Sequence, residues 1–140
     1  DWFASPDCRF DALLLENAVN MGGYADEYER RCAHLLDRMA EKKPDIPIYM
    51  LTCFPNSGVS APVCASPVTK KTDVEASGNL KTDAVIRRLA ARHPQITLIE
   101  GADMVTDFTG LTCVLIHLSD YGHIEAATNL AAALRGDWLK

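Results

Sequence analysis

The sequence predicts an α/β protein with a parallel sheet, because short apolar segments alternate with longer segments of helical periodicity. Three segments have the length and apolar character of buried strands, namely residues 12–16, 48–53 and 96–100. Strands joined through helices run parallel, since the intervening helix returns the chain to the same end of the sheet. We therefore expect one α/β domain over residues 1–140, with helices on the faces of the sheet.

The first helix is predicted from Tyr24 to about Lys42. Apolar residues recur there every three or four positions, at 24, 28, 32, 35, 36 and 39. Asp26 and Glu27 favour a first turn, where exposed N–H groups attract negative charge. Pro44 lacks an N–H group and closes the element.

Two further helices are predicted after the second strand. A loop with three prolines spans residues 54–68, the assignment of 69–79 is open, and helical spacing follows at 80–92. Residues 101–116 form mostly loop. The last helix is predicted from about Tyr121 to Arg135, and apolar residues at 124, 127, 131 and 134 share one of its faces. Either Ser119 or Asp120 can cap it.

Composition and charge narrow the function classes. The chain is 48% hydrophobic and 24% charged, as is usual for a globular domain. A net charge of −5 without any basic run argues against a nucleic-acid partner. No apolar stretch approaches the length of a membrane span. Because the chain begins at Asp1 rather than Met, we expect the native N-terminus to lie elsewhere, and the compartment stays open.

The cysteines do not indicate a metal site. They stand at 8, 32, 53, 64 and 113, without a Cys-x-x-Cys pair or a Cys/His ligand spacing. We expect no metal and no cofactor, since a phosphate-binding glycine loop is also missing. Cys53 and Cys64 could pair in an oxidising compartment, but unpaired thiols are favoured.

Ligands of parallel sheets bind at the carboxyl ends of the strands, which here are followed by residues 17–23, 53–60 and 101–107. His117 lies on the turn before the last helix, where an imidazole can act as a general base. The alternative is a histidine that merely neighbours a helix cap.

Residues 111–131 resemble the last conserved block of the SGNH (GDSL-type) hydrolases, D-x-x-H-P-[ST]-[DE]-x-G-[HY]. The matching residues, in order, are His117, Ser119, Asp120, Gly122 and His123. Leu118 replaces the family's proline, and Val114 replaces the aspartate of its catalytic triad. A literal D-x-x-H also occurs at Asp120 and His123, but the order of the block aligns His117 with the family's base.

A second block of the family, G-x-N-D after a strand, resembles Ala18-Val19-Asn20-Met21 with Asn20 alone retained. The resemblance implies that the Asn20 amide donates a hydrogen bond to the oxyanion formed on the substrate carbonyl. Without the resemblance, an asparagine among glycines simply suits a turn.

The nucleophile block G-D-S is not found in the chain. The resemblance therefore covers the last three blocks of the family and implies a three-layer α/β/α, flavodoxin-like sheet that is incomplete at its N-terminal side. Either the serine lies on an upstream segment or companion subunit, or the protein never had this block. Ser57 is a substitute within the chain, although a turn residue is the simpler interpretation. For the missing triad aspartate, Asp103, Asp107 or a backbone carbonyl could orient His117, or both acids are surface residues.

Three hypotheses follow. The first is a serine ester hydrolase acting on small acyl esters, such as acetyl esters of carbohydrates or lipid esters. The second is a catalytically degenerate domain of the same fold that serves binding or assembly, favoured by the departures at 18, 21, 114 and 118. The third is an unrelated flavodoxin-like binding domain, which would need a phosphate or flavin site.

Overall fold

The computed structural model describes residues 2–56, 78–106, 108–113 and 115–138. Three strands form one parallel sheet in the order β1-β2-β3. They are β1 (Leu13–Leu15), β2 (Ile48–Leu51) and β3 (Ile96–Ile99). The helices are α1 (Ala25–Lys42), α2 (Gly78–Ala90) and α3 (Asp120–Trp138). The predicted α/β class and the parallel sheet are confirmed.

One face of the sheet carries α1 and α2. Side chains of α1 and α2 pack there against inward residues of all three strands, and the fully buried members include Leu36, Met39, Ile48, Ile86 and Leu89. The buried residues of α1 are Tyr28, Cys32, Leu36 and Met39, which follow the predicted spacing. Tyr24 is the exception, because it ends a short 3₁₀ helix at Val19–Tyr24 and is 69% exposed.

The opposite face carries α3 and a smaller core, which completes the three layers. Tyr49, Leu51 and Ile99 point to this face and pack near Ala126 and Leu130 of α3. Leu14 is the register partner of Tyr49, so it points the same way. It is nevertheless 46% exposed, whereas Tyr49 is 1% exposed. The helix therefore covers β2 and β3 more fully than β1.

The predicted apolar face of α3 packs inward at Leu134 but not at its other three positions. Ile124 is 66% exposed, and Ala127 and Ala131 are also exposed. The residues that pack inward are Gly122, Ala126, Leu130 and Leu134. Periodicity selected a neighbouring apolar stripe, because this helix is apolar on two adjacent sides and spacing alone does not say which side meets the sheet.

Two glycines allow close backbone contacts, one where α3 begins and one just after β3 ends. A Cβ on Gly122 would collide with the carbonyl group of Gly110, and a Cβ on Gly101 would collide with the carbonyl groups of Thr52 and Cys53. The first contact sets the first turn of α3 directly on the short 3₁₀ helix Phe108–Gly110. The second lets the chain leave β3 close beside the end of β2.

None of the helices in the described part of the chain is long and apolar enough to span a lipid bilayer.

We predict that Gly122→Ala destabilises the protein by about 1–3 kcal/mol, because the added methyl group forces α3 away from Gly110. This loss exceeds the roughly 1 kcal/mol that alanine gains over glycine in a helix interior. Urea unfolding measures the change. Gly23→Ala is the matched control, since a Cβ at Gly23 meets no described atom within 4 Å. Equal stabilities of the two variants would contradict the contact.

Candidate active site

Two of the candidate site residues belong to segments that leave the carboxyl edge of the sheet. Asn20 follows β1, and His117 lies between β3 and α3. The strands are parallel, so both segments leave the sheet at the same edge. This is the edge at which open α/β sheets bind ligands.

The turn that carries His117 is closed by backbone hydrogen bonds. Leu111 and Leu118 form an isolated antiparallel bridge, and the Thr112 N–H donates to the His117 carbonyl at 2.9 Å. The Leu115 N–H donates to the Thr112 carbonyl at 2.8 Å, and Leu115 itself has a positive φ of 54°. A leucine rarely adopts that conformation, so the turn is held by its surroundings. His117 is exposed.

Ser119 connects this turn to α3. Its hydroxyl accepts from the Gly122 N–H at 3.1 Å, which confirms the predicted cap. Its own N–H donates to the Gly110 carbonyl at 2.9 Å. Ser119 therefore caps the first turn of α3 and also ties the chain, two residues after His117, to Gly110.

Asn20 lies in the short 3₁₀ helix Val19–Tyr24 and is exposed. The segment is anchored by Ala18, which is 1% exposed and whose carbonyl accepts from the Met21 N–H at 2.9 Å. A second anchor comes from α1, where the Tyr28 hydroxyl donates to Asn17 Oδ1 at 3.0 Å. Buried groups thus hold the backbone on which Asn20 is displayed.

Asn20 and His117 belong to the segments that follow the two outer strands of the sheet. Asn20 comes five residues after the end of β1, and His117 comes eighteen residues after the end of β3. No described hydrogen bond joins the two residues.

The other residues predicted for the site are placed as follows. Asp103 is exposed in the 3₁₀ helix Gly101–Asp103, and its N–H donates to the Glu100 carbonyl at 3.0 Å. The described hydrogen bonds of His117 involve only its backbone, so Asp103 is not shown to orient the ring. Ser57, Asp107 and Val114 lie outside the described residues.

Sequence reasoning missed a polar layer beneath this edge. The Asp83 carboxylate of α2 is 3% exposed and accepts from the Cys53 N–H at 2.9 Å. Thr52 accepts from the Gly101 N–H at 2.8 Å and donates to Glu100 at 2.9 Å. These bonds satisfy backbone groups where β2 ends. The signal in the sequence was an acidic residue, Asp83, close to the apolar residues of α2.

Three ionisable groups in and beside this layer have pKa values that differ from their ordinary values. Desolvation raises the pKa of the Glu16 carboxyl group, which directly follows β1, although the residue as a whole is exposed. Burial, followed by the nearby Asp83 charge, raises the pKa of the Cys53 thiol to about 12. A hydrogen bond from the Arg87 guanidinium, and a weaker effect of the hydrogen bond from Thr52, lower the pKa of the Glu100 carboxyl group.

The described cysteines are free thiols. Cys8, Cys32 and Cys53 are buried, Cys113 is exposed, and Cys64 lies outside the described residues. Within the described part of the chain, no group of three or more His, Cys, Asp or Glu side chains is arranged to hold a metal ion.

No protein-family model matches the chain, nor does any curated protein match it by sequence. Solved structures do match it. One, from Streptococcus pneumonia, is provisionally described as a platelet activating factor. It has 18% identity and a TM-score of 0.65, over 89% of this chain and 59% of that one. Another, provisionally described as a GDSL-like lipase from Bacteroides ovatus ATCC 8483, has 18% identity and a TM-score of 0.68, over 93% of this chain and 36% of that one.

The fold is GDSL-like. This follows from the parallel sheet with helices on both faces and from its match to these structures. At 18% identity the likeness concerns the fold alone. The chain spans somewhat over half of the first structure and about a third of the second. The GDSL-like fold agrees with the resemblance found in the residues around His117.

We predict that the thiols differ sharply in reactivity. At pH 8 iodoacetamide should label Cys113 at least about tenfold faster than Cys53, because the thiolate is the nucleophile and a pKa of about 12 leaves Cys53 protonated. Peptide mapping by mass spectrometry reads the sites. Rapid labelling of Cys53 in folded protein would show that the layer beneath the strand ends is open to solvent.

Proposed function

We propose that the chain is part of an SGNH-type serine ester hydrolase that acts on small acyl esters. The observation that supports the proposal is that His117 is exposed on a turn closed by backbone hydrogen bonds before the last helix, while Asn20 is exposed on the segment after β1. The GDSL-like fold supports it, because the order of the two residues along the fold matches the order of the family's blocks.

In the proposed reaction a serine hydroxyl attacks the ester carbonyl, and His117 takes the hydroxyl proton. The carbonyl oxygen becomes an oxyanion, to which the Asn20 amide and backbone N–H groups donate. Collapse of this intermediate breaks the ester C–O bond, and the alcohol leaves with the proton from His117. Water then attacks the acyl-enzyme, His117 accepts its proton, and the acid is released as the serine regains its hydrogen.

The serine is proposed to lie on a companion segment or subunit beside β1. The outer edge of β1 pairs with no strand among the described residues, and an open edge can accept another strand. Leu14, 46% exposed, leaves apolar surface on the face that α3 covers only in part. A strand with its helix would bury this surface.

The outer side of α3 supports the same arrangement. Glu125 accepts from Thr106, and Asn129 donates to the Met104 carbonyl at 3.0 Å, so this flank of α3 faces the segment after β3. Ala127 and Ala131 lie on the opposite flank of the helix. That flank is apolar and exposed. A companion helix packed over Leu14 would cover it.

A degenerate domain that retains the fold for binding or assembly is the second candidate, and Leu118 favours it. This residue replaces the family's proline and is packed against the core formed by Tyr49, Leu51 and Ile99. The departure from the family's pattern therefore has a structural use that does not depend on catalysis.

We predict that His117→Ala abolishes hydrolysis of p-nitrophenyl acetate by the native protein, purified together with any companion. Loss of the base removes proton transfer, and an exposed turn residue contributes little to stability. His123→Ala is the matched control, because His123 is also exposed but belongs to α3. Full turnover by the His117 variant would remove the proposed mechanism.

We also predict that Asn20→Ala lowers kcat by about 100- to 1000-fold with little change in KM, as expected when an oxyanion donor is lost. Initial rates over a range of ester concentrations measure both constants. The control is Gln95→Ala, which removes an amide that bonds the Ile46 carbonyl before the strands begin, at the opposite edge of the sheet. An unchanged kcat in the Asn20 variant would assign that residue to the turn alone.

A further inference from the structure

A cavity opens beside the segment that carries Asn20. It has a volume of about 550 Å³ and is lined by the end of the 3₁₀ helix, the first turn of α1 and one residue of α2. The lining residues are Gly22, Gly23, Tyr24, Ala25, Asp26, Glu27 and Lys81. Both α1 and α2 begin after a strand, so their first turns and the cavity lie at the carboxyl edge of the sheet.

The chemistry of the lining distinguishes between possible ligands. Tyr24 presents an exposed aromatic ring, 69% accessible, which suits stacking against the C–H face of a sugar ring. Asp26 offers hydrogen-bond acceptors and Lys81 offers donors, as hydroxyl groups require. An acyl chain would instead need a mainly apolar wall, and Tyr24 and Ala25 are the apolar lining residues here.

The charged side chains of the lining narrow the class of ligand further. Glu27 is engaged by Arg30 through a bidentate pair at 2.6–2.9 Å, which leaves Asp26 and Lys81 as the charges of opposite sign nearest the opening. Among the described lining residues two carboxylates face one ammonium group, so these residues provide no excess of positive charge that would select a phosphorylated or sulfated group. A neutral sugar fits this balance.

We propose that this cavity binds a neutral carbohydrate, with Tyr24 stacked on a sugar ring. Asn20 and Tyr24 belong to the same short 3₁₀ helix, four residues and about 8 Å of helix rise apart. A sugar of two or three rings held by Tyr24 can therefore extend to the proposed oxyanion donor. The inference deepens the proposed function and rests on it in one respect: the sugar is assigned as the alcohol part of the ester, rather than as a separate ligand.

Gly23 provides a way to close the cavity without disturbing the fold. A Cβ on Gly23 has no described atom within 4 Å, and its φ is not positive. Gly23→Leu should therefore fill the cavity while leaving the packing intact. Gly23→Ala adds one methyl group at the same place and serves as its control.

The test measures the binding of neutral trisaccharides (xylotriose, cellotriose, mannotriose and chitotriose) by isothermal titration calorimetry and saturation-transfer NMR. We expect at least one to bind. Tyr24→Ala should weaken that binding roughly five- to tenfold, Tyr24→Phe should retain it, and Gly23→Leu should abolish it. The control Tyr121→Ala removes a similarly exposed tyrosine, 58% accessible on α3, and should leave it unchanged.

Three results would overturn the inference: no trisaccharide binds, Tyr24→Ala binds as well as the original protein, or dodecanoate binds instead and is excluded by Gly23→Leu. Binding needs no nucleophile, so the outcome is separable from that for the hydrolase. Sugar binding lost with Tyr24, in a protein without a reactive serine, would keep the site and overturn the hydrolase. A reactive serine in a protein that binds none of the sugars would keep the hydrolase and overturn the sugar site.

Discussion

The placement of the His117 turn depends on the contact between the backbones of Gly110 and Gly122. Because neither residue carries a side chain, α3 can begin directly on the loop that leaves β3. Ser119 spans the same junction, donating to Gly110 and capping the helix at Gly122. His117 is thereby held between a backbone bridge and a helix terminus, which is a firmer support than a free loop would provide.

The rest of the carboxyl edge is supported from below. Thr52, Asp83 and Tyr28 bind backbone or amide groups where β2 and β1 end, and all three are buried. Leaving such groups unpaired would cost about 1–3 kcal/mol each. The exposed residues of the proposed site therefore rest on a buried polar layer, which limits how far Asn20 and the segment after β3 can shift relative to each other.

The sequence was sufficient for the elements whose pattern is set locally. The apolar strands and the inward face of α1 follow from spacing, and the cap at Ser119 follows from its hydroxyl beside a helical segment. The inward face of α3 could not be predicted, because two apolar stripes lie side by side on one helix and only the sheet decides between them. The bond between Asp83 and Cys53 joins residues thirty positions apart, which no local pattern specifies.

In the candidate site, too, the features set by the local sequence could be predicted and those set by tertiary contacts could not. The residues around His117 indicated a base on a turn, but its pairing with Asn20 came from a family resemblance and from the parallel topology rather than from chemistry visible near either residue. Tyr24 was counted among the core residues of α1, since it has the right spacing. Its exposure depends on where the helix begins, at Ala25, and that boundary is set by the preceding 3₁₀ helix.

We propose that this edge of the sheet serves a serine nucleophile carried beside β1. The proposal is tested by labelling the native protein, with any companion, by a fluorophosphonate, followed by intact mass and peptide mapping. We expect one labelled serine on the companion segment or subunit, with labelling lost in His117→Ala. Absence of labelling in folded protein that includes the companion would contradict it and leave the fold to a binding or assembly role.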